Sequence, residues 1–255
     1  MRLSKKIIFR SLVAVAALFA SLVVGGIVAL NSRALFPASE VCLSNNPTSA
    51  ELAVLIVGDS WVTKGKLLPG FEEGFAVSST KSLTVCSIGY PGRTSREIAD
   101  GLKADYEFDA SRLFGRTPDY VVSIVGINDA IQHSGVRGFV DGLQELSDFP
   151  SSHFLVMEIP HVDEDAYQPK RLLARLKHLI FLWGYDFGQE QALDKYRDTA
   201  SQLGLQTIPI DDFAGSNEAT PLGEDRIHLT PEGNVEFGVY LGRYVASFDI
   251  GQGGQ

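Results

Sequence analysis

A serine early in the chain and an Asp–His pair near its end could together perform nucleophilic catalysis. Ser60 comes shortly after the apolar run "ELAVLIV", in the stretch "GDSWVTKG", and Asp225 precedes His228 by three positions in "EDRIHLTPEGN". A serine hydroxyl is a weak nucleophile that needs a base within hydrogen-bond reach, and a neutral imidazole is such a base. The imidazole in turn needs an acceptor that fixes its tautomer. We therefore predict that Ser60, His228 and Asp225 act as nucleophile, base and orienting acid.

Each of these residues also has a simpler explanation. A serine just after a strand is often only a helix N-cap, and Ser60 does not lie in a G-x-S-x-G elbow because Val62 takes the place of the second glycine. Asp225 and His228 alone would fit an ordinary surface loop. The combination of the three residues, all expected at one edge of the same sheet, favours catalysis.

Acyl transfer also requires donors for the oxyanion that forms when a serine attacks a carbonyl group. Ser60 offers its backbone N–H at the start of a helix, Gly92 in "PGRTS" can expose a backbone N–H with no side chain in the way, and Asn128 in "GIND" carries a side-chain amide. Alone, Gly92 would fit a turn and "GIND" the end of a strand. Together with Ser60 they predict an oxyanion hole.

Short apolar runs that alternate with helical patterns must position these residues. Such uniformly apolar runs are typical of strands covered on both faces, as in a parallel sheet. In an open α/β sheet, ligands bind beyond the carboxyl ends of the strands, where Ser60, Gly92 and Asn128 follow three of the runs. The predicted strands are 52–58, 83–89, 120–126, 153–160 and the less apolar 205–211, and the predicted helices are 95–103, 138–149, 188–204 and a last helix that Thr230 caps and Pro231 begins.

The order of these motifs resembles the four sequence blocks of the SGNH, or GDSL-type, hydrolases. The blocks are Gly58-Asp59-Ser60, Gly92, Gly126-x-Asn128-Asp129 and Asp225-x-x-His228, and the resemblance covers residues 50–247. It implies a flavodoxin-like three-layer α/β/α sandwich with a parallel sheet, and a serine esterase or lipase that needs no metal and no cofactor. The matched positions imply the same catalytic and oxyanion-hole roles as the chemistry above.

The N-terminal end of the chain has the pattern of a membrane anchor. Four basic residues lie in residues 1–10, and residues 11–30 contain no charged residue. An apolar run of about 20 residues matches the hydrocarbon thickness of a bilayer, and the basic residues before it favour a cytoplasmic N-terminus. We predict a signal anchor over residues 1–36, with a cleaved signal peptide as the alternative. Either way, the rest of the chain is expected outside the cytoplasm: periplasmic, at the cell surface or, after cleavage, secreted.

The rest of the chain is predicted to comprise a turn-rich linker, residues 37–50, and a hydrolase domain, residues 51–250. Five of the 22 basic residues and none of the 31 acidic residues lie in residues 1–36, so the remainder carries 17 basic against 31 acidic residues. Binding to nucleic acid requires clustered cations. We therefore predict no nucleic-acid partner.

The two cysteines, Cys42 and Cys86, allow two interpretations. Export would permit a disulfide between them. Alternatively, Cys86 lies in an apolar run and could be a small buried hydrophobic residue. Their separation does not match a metal-site motif.

Residues 161–188 form a longer connection than a compact domain of this kind needs. Their first part contains side chains that could bind a metal but fits a solvated acidic loop better, and these side chains are His161, Asp163, Glu164 and Asp165. Residues 170–183, "KRLLARLKHLIFLW", have apolar positions at helical spacing together with basic residues. That pattern fits either a helix packed on the domain core or a lid that contacts the membrane or an acyl chain.

These features together predict a membrane-tethered serine esterase that cleaves a carboxylic ester of an acetylated carbohydrate or a lipid outside the cytoplasm. An O-acetyltransferase acting on a cell-envelope polysaccharide could use the same triad. A non-catalytic carbohydrate-binding module could share the fold, but the complete set of predicted catalytic residues argues against it. Water is the expected acceptor.

Overall fold

The computed structural model divides the chain into two compact units, Met1–Pro37 and Ala38–Gln255. The structure describes residues 11, 13–23, 25, 38–44, 52–63, 66–131, 135–160, 196–199, 201–214, 222–223 and 228–252. In the first unit, residues 13–23 are helical, and Leu18, Phe19 and Leu22 are 64–69% exposed. Within the described parts of the chain, no helix is both long enough and apolar enough to cross a membrane.

The second unit is built on a six-stranded sheet. Its strands are β1 Ser39–Ser44, β2 Leu52–Gly58, β3 Leu83–Gly89, β4 Tyr120–Ile124, β5 His153–Met157 and β6 Gln206–Ile208, in the spatial order β1-β3-β2-β4-β5-β6. All neighbours are parallel except β1 and β3. Every residue of β2 and β4 is buried, as the uniformly apolar runs predicted. The five strands predicted from the sequence are present, although the last three are shorter than expected.

Two pairs of long helices cover the sheet, and four short helices lie in the connections. In chain order, the helices named here are α1 Ser60–Thr63, α2 Leu67–Ser78, α3 Ser95–Tyr106, α4 Ser111–Phe114, α5 Ile127–Ile131, α6 Gly135–Ser147, α7 Asp211–Ala214 and α8 Pro231–Gln252. Helix α2 packs against α8, and α3 packs against α6. The crossover through α2 moves along the sheet in the opposite direction from the crossovers through α3 and α6, so right-handed connections place the two pairs on opposite faces. The predicted three-layer α/β/α arrangement follows.

Strand β1 differs from the sequence prediction, which assigned residues 37–50 to a linker. It pairs antiparallel with β3 at the edge of the sheet, and Cys42 lies directly opposite Cys86 in the register. The two cysteines form a disulfide. Of the two interpretations that the sequence left open, the structure therefore supports the disulfide. Most residues of β1 are exposed, and an exposed edge strand lacks the apolar run from which a buried strand is predicted.

Helices α2 and α8 approach so closely that their glycines are required. A Cβ on any of Gly70, Gly74, Gly238 or Gly242 would lie 2.1–2.2 Å from a backbone oxygen of the opposite helix. The contacts advance in the same direction along both helices, which therefore run parallel. Because α2 closely follows the predicted nucleophile and α8 closely follows the predicted base, this contact helps to fix one relative to the other.

Candidate active site

The serine of the "GDS" stretch lies at the carboxyl end of the central strand. Ser60 begins α1 two residues after β2 ends at Gly58. The Asp59 N–H donates to the Ile124 carbonyl of β4 at 3.3 Å, and the Tyr90 N–H donates to the Gly58 carbonyl at 2.8 Å. A Cβ on Gly58 would lie 2.4 Å from the Ile124 oxygen. The backbone before Ser60 is thus held in close contact with the ends of both neighbouring strands, β3 and β4.

The structure brings the predicted nucleophile and base together from opposite ends of the domain. The His228 Nε2 atom lies 2.9 Å from the Ser60 Oγ atom. The loop around His228 is fixed by the Gly223 N–H, which donates to the His228 carbonyl at 2.6 Å, and by a single bridge between Leu222 and Leu229. Both side chains are partly exposed, so a substrate can reach the hydroxyl.

A second set of contacts holds the His228 loop to the start of α8. The Gly233 N–H donates to Thr230 Oγ1 at 3.0 Å, which agrees with the N-cap predicted for Thr230. The buried Asn234 donates its Nδ2 to the Thr230 carbonyl at 3.1 Å. Asn234 was not predicted from the sequence, because an asparagine in a first helical turn carries no signal of this contact. Asp225 lies outside the described residues.

The two remaining oxyanion-hole candidates lie in the connections after β3 and β4. Gly92 is exposed, and a Cβ added there would have no atom within 4 Å, so lack of space does not require a glycine. Its φ of +72° is left-handed, and that conformation favours glycine. Asn128 is half-buried in the first turn of α5. Its Nδ2 donates to Asp59 Oδ2 at 3.0 Å, which places the amide beside the residue that precedes Ser60.

Asp59 is buried beneath this edge of the sheet, with a fractional exposure of 2%. Its Oδ1 accepts the Trp61 N–H at 3.0 Å and its Oδ2 accepts the Asn128 amide. Burial raises the pKa of Asp59 to about 7, and the nearby charge of Asp129 adds to that rise, while the two hydrogen bonds oppose it. This role of Asp59 was not predicted from the sequence, because the "GDS" letters do not show that its carboxylate bridges two elements.

Asp129 joins the other two connections. Its Oδ2 accepts the Ser95 N–H and its Oδ1 accepts the Ser95 hydroxyl, both at 2.8 Å, and both residues are fully buried. Ser95 is the first residue of α3, three positions after Gly92, so the carboxylate satisfies an N–H that the helix leaves without a partner. The contact therefore fixes the segment bearing Gly92 relative to the helix bearing Asn128.

The segment predicted as an insertion, residues 161–188, lies outside the described residues, and so do the metal-ligating side chains considered there. Where the chain is described, no group of three or more His, Cys, Asp or Glu residues could hold a metal. The arrangement that the structure does show is a serine–imidazole contact at the carboxyl edge of the sheet, which suits attack on a carbonyl group.

Comparisons with known proteins give a match in structure but not in sequence. No family model matches the chain, and no curated protein matches it significantly. Among solved structures, a lipase/acylhydrolase from Enterococcus faecalis has a TM-score of 0.55 at 19% identity, covering 77% of this chain and 96% of that one. Est24, a carbohydrate acetylesterase from Sinorhizobium meliloti, has a TM-score of 0.55 at 16% identity, with 78% and 100% covered. The M. smegmatis aryl esterase has a TM-score of 0.55 at 17% identity, with 77% and 99% covered.

These similarities extend over nearly the whole length of each solved protein, so they concern the entire domain and not one shared motif. The chain has the fold of the SGNH, or GDSL-type, hydrolases, as the order of its sequence blocks predicted.

Proposed function

We propose that the chain hydrolyses carboxylic esters, with Ser60 as nucleophile and His228 as general base. The observation that carries this proposal is the 2.9 Å contact between Ser60 Oγ and His228 Nε2 at the carboxyl edge of the sheet. Nε2 takes the hydroxyl proton while Oγ forms a bond to the ester carbonyl carbon. The imidazolium then returns that proton to the leaving alcohol as its bond to carbon breaks, which leaves an acylated Ser60. Water then gives a proton to the same Nε2 as its oxygen bonds to the acyl carbon, and the imidazolium returns that proton to Ser60 Oγ as the acyl–Oγ bond breaks and the acid leaves.

The oxyanion of each tetrahedral intermediate is assigned to three donors. These are the backbone N–H groups of Ser60 and Gly92 and the side-chain amide of Asn128. The Ser60 N–H lies at the start of α1, and Gly92 follows β3 in the left-handed conformation that favours glycine. Asp225 is proposed as the acceptor for the second nitrogen of His228, three residues away in sequence, which would keep Nε2 unprotonated before attack.

The proposed substrate is an ester of an acetylated carbohydrate or of a lipid. Solved proteins of this fold include carbohydrate acetylesterases and a lipase/acylhydrolase, and their names support that range. Transfer of the acyl group to a sugar hydroxyl would use the same acyl-serine, with the sugar in place of water. A non-catalytic carbohydrate-binding module would have no need for the Ser60–His228 contact.

We also propose that the domain works outside the cytoplasm, tethered through residues 1–36. The basic residues before an uncharged run of 20 residues, 11–30, support that orientation. The disulfide between Cys42 and Cys86 supports an oxidising compartment. Protease added to cells with a permeabilised outer layer should degrade the domain. Protection until the inner membrane is lysed would reverse the orientation.

Ester hydrolysis is tested with a series of aryl esters from acetyl to long acyl. Ser60→Ala and His228→Ala should each lower kcat/KM by at least about 1,000-fold without a loss of thermal stability. Ser147→Ala is the matched control, because that hydroxyl bonds only to a carbonyl of its own helix, α6, among the contacts described, and its rate should not change. A fluorophosphonate should label Ser60. Near-normal hydrolysis by Ser60→Ala would refute the assignment.

Hydrolysis and transfer are separated by the fate of the acyl group. The protein is incubated with an aryl acetate and with oligosaccharides as acceptors, and free acetate and acetylated sugar are both measured. Free acetate should form faster. If acetylated sugar forms faster, the chain is a transferase.

A further inference from the structure

The aspartate of the "GDS" stretch contacts the predicted oxyanion donor and not the predicted nucleophile or base. We propose that Asp59 is a positioning residue, whose buried carboxylate accepts one N–H of Asn128 and thereby holds the second N–H of that amide toward the oxyanion. The inference deepens the proposed function and rests on it.

The geometry gives Asp59 control over the orientation of Asn128. An asparagine amide rotates broadly about its last torsion angle, so without a fixed partner its nitrogen and oxygen can exchange places. The ionised carboxylate of Asp59 can only accept hydrogen bonds, so it selects the nitrogen of Asn128, 3.0 Å away. That nitrogen carries two hydrogens, and Asp59 Oδ2 engages one of them.

The same carboxylate also fixes the element that carries the nucleophile. Asp59 Oδ1 accepts the N–H of Trp61, the residue after Ser60, at 3.0 Å. One buried group therefore links α1, where the serine is, to α5, where Asn128 is. Both links need an acceptor. Asparagine at position 59 would have only one oxygen that can accept a hydrogen bond. Its amide nitrogen, a donor, would then face another donor, either the Trp61 N–H or the Asn128 amide.

Protonation of Asp59 would weaken the link in the same way, because a neutral carboxyl group also presents one hydrogen. Burial raises the pKa of Asp59 to about 7, so this change falls in the working range of an imidazole base. Among the residues that the structure describes, the ionisable groups near it include Asp129 on α5, Glu158 after β5, which lines the same small pocket, and His228, which contacts the adjacent Ser60. The rate should therefore fall further as Asp59 is protonated, in addition to any loss that protonation of an imidazole base causes.

A double-mutant cycle tests whether Asp59 acts through Asn128. Asp59→Asn should lower kcat by about 10- to 100-fold with little change in KM, because the lost contact orients a donor that strengthens in the transition state. In an Asn128→Ala background, the same substitution should change kcat by less than about 3-fold. Asp109→Asn is the matched control, since Asp109 also accepts a backbone N–H, that of Ser111, but in an exposed turn. Equal losses in both backgrounds would mean a purely structural role and would overturn the proposal.

The pH profile gives a second readout that a purely structural role would not move. Just below pH 7, a plot of log kcat/KM against pH should be steeper in the unmodified protein than in Asp59→Asn, by a total of about 10- to 100-fold in rate, and the two plots should run parallel at lower pH. An identical slope in both proteins contradicts the proposal.

A measurement that needs no activity separates this inference from the proposed function. The side-chain amide protons of Asn128 are assigned by NMR and followed from pH 5 to 9. Their shifts should titrate with a midpoint near 7, and that titration should vanish in Asp59→Asn while persisting in His228→Ala. If no ester is hydrolysed but the titration is present, the proposed function fails and the Asp59–Asn128 link stands. If the shifts neither titrate nor change in Asp59→Asn, the link is refuted whatever the activity.

Discussion

Two buried aspartates on either side of the candidate oxyanion hole perform different tasks. Asp59 ties Asn128 to the segment of Ser60, and Asp129 ties the helix of Asn128 to Ser95, beyond Gly92. Buried carboxylates are costly unless donors satisfy them, and here all four oxygens accept a hydrogen bond. The segments that carry the candidate oxyanion donors are thus joined by two buried carboxyl groups.

Removal of the Ser95 hydroxyl should reveal the contribution of the Asp129 contact. Ser95→Ala leaves Asp129 Oδ1 without the donor that now lies 2.8 Å away, in a fully buried position. We expect the free energy of unfolding to fall by about 1–3 kcal/mol, the usual range for a lost hydrogen bond to a charged group. Urea unfolding measures the change, with Ser147→Ala as the control expected to differ by less than about 0.5 kcal/mol. Equal stability of the two variants would argue against this contact.

At the residue scale, the sequence was informative where chemistry restricts the residue type. A serine, a histidine and a strand-end position were sufficient to predict the proximity of Ser60 and His228. Asp59 and Asp129 were not assigned, because acidic side chains near a strand end are usually solvated. Only the three-dimensional structure shows that both are buried and bridge elements.

At the scale of elements, the apolar runs predicted the parallel strands because burial on both faces leaves a uniform composition. Strand β1 was missed for the opposite reason. Its partners are the backbone of β3, a disulfide, and polar contacts such as that between Glu40 and Tyr106, none of which requires an apolar sequence. The close packing of α2 on α8 was also not predicted, since glycines in a helical pattern normally lower its helix propensity.

A methyl group between α2 and α8 should separate the two helices. Gly238→Ala would place a Cβ 2.2 Å from the Leu67 carbonyl oxygen, so the backbones must move apart. We expect a loss of about 1–3 kcal/mol in stability. We also expect a fall in esterase rate, because α8 begins just after His228. Gly251→Ala is the control in the same helix, with no atom within 4 Å of the added Cβ. If both variants unfold at the same temperature, the packing does not require glycine at 238.

At the scale of the whole molecule, the disulfide attaches the edge strand to the domain. It joins β1 to β3 across a sequence separation of 44 residues. Closing a loop of that length can stabilise a folded chain by up to about 4 kcal/mol, chiefly by restricting the unfolded state. Replacement of both Cys42 and Cys86 by serine should therefore lower the denaturation midpoint, and reductant should lower that of the unmodified protein but not that of the variant. Insensitivity of both proteins to reductant would contradict a structural disulfide.

The raised pKa of Asp59 makes the stability of the molecule depend on pH in a direction opposite to that of an ordinary salt-bridged carboxylate. The unfolded chain loses this proton near 3.8, whereas the folded chain keeps it to about 7. Between those values the folded state binds more protons, so the free energy of unfolding must fall as pH rises, and it levels off above about 7. Asp59→Asn cannot titrate. The stability of the unmodified protein minus that of the variant, measured by urea unfolding from pH 4 to 8.5, should therefore decline through this window. A difference that grows with pH would mean that the fold stabilises the ionised form, and both the raised pKa and the pH-dependent role of Asp59 would then be wrong.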